Sequence, residues 1–179
     1  VALAPGLPRF CGGLAGYFGY DAVRYMEKKL QASCPPDEIG TPDILLLQCE
    51  EVAVIDNLSG KLYLLVYVDP NTPEAYSRGK RRLRELHVRL RQPAMPPAAG
   101  VFKSEPVQRS FAKEDYLRAV ERAKELIAAG DFMQVQVGQR LHKRFAAHPL
   151  NLYRALRSLN PSPYMYYYHF GDFQVVGSS

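Results

Sequence analysis

The sequence predicts an α+β fold, and three observations predict it. Runs rich in β-branched and aromatic residues are joined by short turn formers, which reads as antiparallel hairpins. Stretches with one apolar stripe at helical spacing lie between them. Proline- and glycine-rich breaks separate the two kinds of segment. The chain has 179 residues, 47% hydrophobic and 23% charged. That is enough for one good core or parts of two modules, and it excludes disorder throughout.

The elements follow in order. "PRFCGGLAGYFGYD" places glycines at 12, 13, 16 and 19 among large apolar residues, where they permit close backbone approach or positive φ. Asp21 is a candidate cap for a short helix through Leu30, and "QASCPPDEIGTPD" is a proline-rich loop. "ILLLQCEEVAVID" and "KLYLLVYVD" flank Asn57-Leu58-Ser59-Gly60 and predict an antiparallel hairpin. Pro73 at a first helical position opens a helix to about Arg91, with Leu83, Leu86 and Leu90 on its core face. Residues 93–109 form a Pro/Ala-rich linker without periodicity.

Beyond the linker, Tyr116, Ala119, Val120, Ala123, Leu126 and Ile127 make one apolar stripe, and Gly130 stands where a helix-terminating glycine belongs. "FMQVQVGQRLHKRF" alternates, with Met133, Val135 and Val137 on one face, and predicts a half-buried strand. "HPLNLYRALRSLN" predicts a helix with Tyr153, Leu156 and Leu159 inward, followed by a hairpin turning at Gly171-Asp172. No internal repeat is present.

Charge and cysteines narrow the function classes. The formal charge is +5, and much of the excess comes from "SRGKRRLRELHVRLR". Its leucines supply a core face and its arginines a solvated one, so a solvated helix is preferred over a nucleic-acid patch. Cys11, Cys34 and Cys49 have no CxxC spacing, which points to a reduced, cytoplasmic setting. With the scattered histidines they offer no metal-ligand spacing. No apolar run approaches a membrane span and no signal peptide opens the chain. A first residue of Val1 suggests a piece of something longer.

Among chemistry-bearing candidates, the glycine cluster near residue 13 lacks G-K-[ST] and GxGxxG spacing, so a tight strand-to-helix junction is preferred over a phosphate cradle. Glu50 and Glu51 are adjacent on a strand and point to opposite faces, so they share no acid–base role. Gln134, Gln136, Gln139 and Arg140 either line a pocket or form the polar outer face of a sheet. The stiff stretch Asn160-Pro161-Ser162-Pro163-Tyr164-Met165 is the sharpest feature. Two prolines fix the backbone groups of Ser162, Tyr164 and Met165, and the Met165 thioether packs well on aromatic rings. This suits a small amphipathic ligand such as an amino acid, although residues alone favour a plain helix-to-strand connector.

The segment "LYRALRSLNPSPYMYYYHFGDFQVVGSS" resembles the large subunits (component I) of anthranilate synthase, chorismate-utilising enzymes of tryptophan biosynthesis. "PRFCGGLAGYFGYDAVRYME", "DNLSGKLYLLVYVDP" and "AVERAKELIAAGDFMQVQVGQR" resemble the same family in the same order. Gly138 stands where the family often has Ser, and Cys11 where Thr is usual. The resemblance implies an antiparallel β-sandwich with outer helices, only partly present. It implies that residues 1–92 are the latter part of an N-terminal regulatory region, 93–109 a linker, and 110–179 the start of the chorismate-binding region.

The resemblance also implies the chemistry. The full-length parent is expected to be a lyase that converts chorismate and ammonia to anthranilate and pyruvate with Mg2+. A glutamine amidotransferase subunit is its expected partner, and tryptophan its feedback inhibitor. Pro163, Tyr164 and Met165 match the family's tryptophan-contacting motif, with Asn160 and Ser162 as secondary candidates in the same loop. No catalytic residue or metal ligand of the family falls within this chain, so the chain alone is expected to be inactive. The competing readings are component I of aminodeoxychorismate synthase and a non-catalytic amino-acid-binding module. Neither nucleic acid nor membrane is an expected partner.

Overall fold

The structure, a computed structural model, describes residues 4–98, 100, 103 and 105–179. It divides into two compact units, Val1–Met95 and Pro96–Ser179. Mixed helices and antiparallel strands build both, as the hairpin and stripe patterns predict. All strand pairing among the described residues is in four two-stranded antiparallel sheets. Four positions of the expected linker (99, 101, 102 and 104), and Val1, lie outside the described residues.

In the first unit β1 (Gly13–Phe18) pairs with β2 (Ile44–Cys49), Gly16 opposite Leu46. A Cβ on Gly16 would stand 1.9 Å from the Leu45 carbonyl oxygen, so glycine is required there for the two backbones to meet. The helix expected from Asp21 to Leu30 is instead a 3-10 turn, one α turn (α1, Val23–Met26) and a second 3-10 segment. Asp21 does not cap it. Its carboxylate accepts from Arg24 Nε at 2.5 Å, while Arg24 Nη1 donates to the Leu30 carbonyl. Side-chain bonds of this kind compete with helical propagation.

The run read as one strand from Ile44 to Asp56 breaks at Glu50. β2 goes to β1, and β3 (Glu51–Asp56) pairs with β4 (Lys61–Val66). The Asn57–Gly60 turn is confirmed. Asp56 accepts from the Leu58 and Ser59 amides and, at 2.5 Å, from the Ser59 hydroxyl, which together hold its carboxyl below the usual range. Helix α2 (Ala75–Leu90) packs on β4, with Gly79 buried against Val68. It starts two residues after Pro73, because Glu74 adopts φ 56°.

The solvated arginine face has one exception. Arg82 donates from Nε and Nη2 to the two Glu51 oxygens at 2.5 and 2.9 Å, joining α2 to β3. The guanidinium lowers the Glu51 pKa. The pairing therefore contributes above the ordinary carboxylate range and is lost as pH falls through the lowered value.

In the second unit β5 (Gln108–Arg109) pairs with β6 (Leu141–His142). Helix α3 (Lys113–Ala129) carries the expected stripe half-buried at Tyr116, Ala119, Val120, Ala123 and Leu126, with Ile127 exposed at its edge. Gly130 ends it at φ 85°, and the Asp131 amide returns to the Leu126 carbonyl at 3.0 Å.

Of the half-buried strand expected within Phe132–Phe145, the two-residue β6 forms, while 133–138 joins no ladder among the described residues. Met133 is 97% exposed, and the Val137 carbonyl accepts from the Tyr116 hydroxyl rather than from a neighbouring strand. Helix α4 (Pro149–Leu159) packs on β7 (Tyr166–His169) and β8 (Gln174–Gly177), with the Tyr153 and Tyr167 rings 6.3 Å apart. Leu159, expected inward, is 82% exposed because the helix ends there and the hairpin does not cover it. Gly171 takes φ 88° at the first position of the two-residue turn, closed by Phe170 N–H to the Phe173 carbonyl at 3.0 Å.

Burial is thin. Cys11 and Ala22 are the buried apolar side chains among the described residues, while Ile44, Leu46, Leu47 and Tyr166 remain exposed. Backbone ladders and close glycine contacts therefore carry much of the first unit. Gly16→Ala is predicted to cost about 2 kcal/mol, since a backbone carbonyl cannot rotate aside. Gly138→Ala, with nothing within 4 Å of its Cβ, is predicted to stay within about 0.5 kcal/mol of the parent. Urea unfolding followed by circular dichroism distinguishes the two; equal midpoints would refute the close-approach argument.

Candidate functional site

The proline elbow begins where α4 ends. Asn160 is the C-cap, its amide reaching the Leu156 carbonyl at 2.8 Å. Pro161 and Pro163 have no N–H to donate, so the loop is held by side chains. The Asn160 carbonyl accepts from the Ser178 hydroxyl at 2.9 Å, and the Asn160 Nδ2 donates back to that oxygen at 3.3 Å. The Ser162 hydroxyl donates to the Ser179 carbonyl and accepts from the Tyr164 amide, the latter at 3.0 Å.

Beyond the elbow the chain enters β7, with Tyr166 opposite Gly177. The Tyr166 ring lies over that glycine: a Cβ there would fall 2.1 Å from its Cζ. The aromatic side chains continue along the hairpin, Tyr166 to Tyr168 at 5.5 Å, Tyr168 to Phe170 at 5.4 Å and Phe170 to Phe173 at 5.3 Å. Tyr164 is 72% exposed, Pro163 is exposed and Met165 is half-buried. No residue from Asn160 to Met165 carries a charge. The elbow thus offers a phenol ring and a thioether beside a backbone that two prolines restrain. That arrangement suits a flat amphipathic ligand recognised through peptide groups and apolar contact.

The remaining candidates do not assemble. Gln134, Gln136, Gln139 and Arg140 are exposed along an irregular segment, so the period-two alignment that a pocket or a sheet face needs is missing. Glu51 is engaged by Arg82, whereas Glu50 accepts from Gln48 Nε2 at 2.6 Å. Beside Gly12 stands the Tyr67 ring, whose hydroxyl donates to the Cys11 sulfur at 3.4 Å. The glycine cluster is therefore packing and not an anion cradle, and the bond raises the Tyr67 pKa.

Hollows of about 580 Å³ along Arg81, Val88 and Arg89, and about 420 Å³ beside Glu50, Tyr67 and Arg78, lie in the first unit and include no elbow residue. Among the described residues no group of three or more His, Cys, Asp or Glu side chains converges.

Ser178, Ser179 and Gly177 are the participants that sequence reasoning did not single out. The only trace they leave is a Gly-Ser-Ser run after an apolar strand, whose partners 17 and 18 residues away local pattern does not reveal.

A family model described as chorismate binding enzyme matches residues 3–179. A protein of Pseudomonas aeruginosa named anthranilate synthase component 1 is 55% identical across 100% of this chain, which covers 37% of that protein. A protein of the same name from Aquifex aeolicus is 42% identical over 97% of the chain and 36% of its own length. Among solved structures, anthranilate synthase component I from Streptococcus pneumoniae TIGR4 superposes with a TM-score of 0.79 at 31% identity, over 99% of this chain and 40% of that one. The chain thus spans little more than a third of these relatives' length.

Proposed function

The chain belongs to the chorismate binding enzyme family, and from that premise we propose that it is part of an anthranilate synthase component 1. The observation that carries this reading is the 55% identity, across the whole chain, to a protein of that name. Relatives named alike down to 42% identity, and a solved structure with the same title wording, support it. They also favour it over aminodeoxychorismate synthase and over a free-standing amino-acid-binding module.

In this reading the full-length protein is a lyase that adds ammonia to the chorismate ring and releases the enolpyruvyl group as pyruvate, leaving anthranilate. Magnesium is its cofactor, held by residues other than those described here. A glutamine amidotransferase subunit supplies ammonia, and the setting is cytoplasmic. The two-stranded sheets belong to a larger antiparallel sandwich with outer helices. Residues 1–92 are regulatory, 93–109 link, and 110–179 open the chorismate-binding region.

Pro163, Tyr164 and Met165 form part of the site at which tryptophan inhibits. An uncharged elbow with restrained peptide groups can meet an amino acid's ammonium and carboxylate, and a half-buried thioether can lie against an indole.

The activity test is direct. Full-length protein with chorismate, ammonium and magnesium should form fluorescent anthranilate and pyruvate in equal amounts. An aminated product that keeps its enolpyruvyl group would replace this reading with the folate enzyme. The site is tested by Met165→Thr, which removes thioether–aromatic packing worth about 1 kcal/mol, a several-fold weakening. Steady-state rates should show the half-inhibiting tryptophan concentration rising by more than any change in turnover without tryptophan. A fall in turnover with inhibition intact would instead put Met165 in the reaction centre.

A further inference from the structure

We propose that the hollow between the end of β4 and the start of α2 binds a small zwitterion, Arg78 meeting its carboxylate and Asp69 its ammonium group. The site lies in the first unit, apart from the elbow, and does not depend on how the elbow is read.

Charges of both signs line this one hollow without meeting. Glu50, Tyr67, Asp69, Thr72 and Arg78 are among the residues around its volume of about 420 Å³. Arg78 forms no ion pair and no side-chain hydrogen bond with any described residue. Asp69 Oδ1 accepts from the Asn71 amide at 2.9 Å and from Asn71 Nδ2 at 3.0 Å, while its Oδ2 accepts from no described residue. Glu50 likewise uses one oxygen, on Gln48 Nε2 at 2.6 Å.

Opposite charges this near attract, and the framework is what holds them apart. The Tyr67 amide donates to the Glu50 carbonyl at 2.8 Å and its hydroxyl to the Cys11 sulfur at 3.4 Å, so the ring is fixed at both ends. The Asp69 carbonyl accepts from the Thr72 amide at 3.1 Å and the Thr72 hydroxyl at 2.8 Å, which closes the turn. Gly79 packs so tightly that a Cβ on it would stand 3.2 Å from Val68 Cγ1, and this seats α2 against the strand end. The walls cannot collapse onto each other. A lone cation would leave Arg78 unanswered, and a lone anion would face two carboxylates; a short molecule with both charges answers both ends. The Tyr67 ring offers its methylene skeleton an apolar wall.

The test is saturation-transfer NMR on the full-length protein. Glycine, β-alanine and 4-aminobutyrate serve as zwitterions of increasing charge separation, with butylamine and butyrate as single-charge controls. At least one zwitterion should bind about tenfold more tightly than either control, the factor that one charge-assisted hydrogen bond supplies. Arg78→Gln should erase the advantage over butylamine. Asp69→Asn, which keeps the acceptor for Asn71, should erase the advantage over butyrate. Arg78→Lys, which keeps the charge, should preserve it. All three substitutions fall on exposed side chains, and thermal unfolding reports whether the variants fold.

Failure of all three zwitterions to bind the parent would overturn the proposal, as would a control that binds as tightly as the best of them. So would an advantage that survives in a folded Arg78→Gln or a folded Asp69→Asn, because the probe would then sit elsewhere.

Discussion

Pro161 and Pro163 take two N–H donors out of a short stretch that joins a helix to a strand, and the second unit is organised around that loss. A connector that makes no ladder of its own must be held by side chains, and here Asn160, Ser162 and Ser178 supply the bonds. Because those bonds run to residues beyond β8, the helix, the elbow and the hairpin close into a ring. In the same stretch Tyr164 is exposed and Met165 half-buried. Stiffness and accessibility arise together, which is the combination a preorganised ligand ledge needs.

The first unit solves a different problem. With Cys11 and Ala22 as its buried apolar side chains among the described residues, it depends on backbone approach and on links between elements. Gly16 lets β1 reach β2, and Gly79 lets α2 sit close to Val68. Arg82 ties α2 to β3 through a bidentate bond to Glu51. A two-pronged guanidinium contact fixes orientation as well as distance, a role that a lysine could not fill.

Local signals in the sequence were legible wherever a single residue type imposes a geometry. Gly130 ends α3, Gly171 turns the last hairpin, and the Asn57–Gly60 loop joins β3 to β4. The elbow was legible for the same reason, since proline restricts its own φ and its neighbour. What failed depended on partners. Alternation at 133–138 predicts a strand, but no ladder forms there among the described residues, and Tyr116 claims the Val137 carbonyl. The break at Glu50 was invisible because both halves of the run favour strands and differ only in which strand they pair with. The Ser178–Asn160 bond was hidden too, because a hydroxyl's distant partner leaves no periodicity. The proline motif marked the elbow, while its attachment to the residues beyond β8 came only from the fold.

Hydrogen exchange of the full-length protein, with and without tryptophan, tests the central claim most directly. The elbow is said to be the ligand ledge, mechanically joined to the end of the hairpin. Tryptophan should slow amide exchange in peptides covering Tyr164–His169 and Gln174–Ser179 together, with the Ala75–Leu90 helix little changed. Protection that appears elsewhere while both of these segments exchange as before would contradict the account.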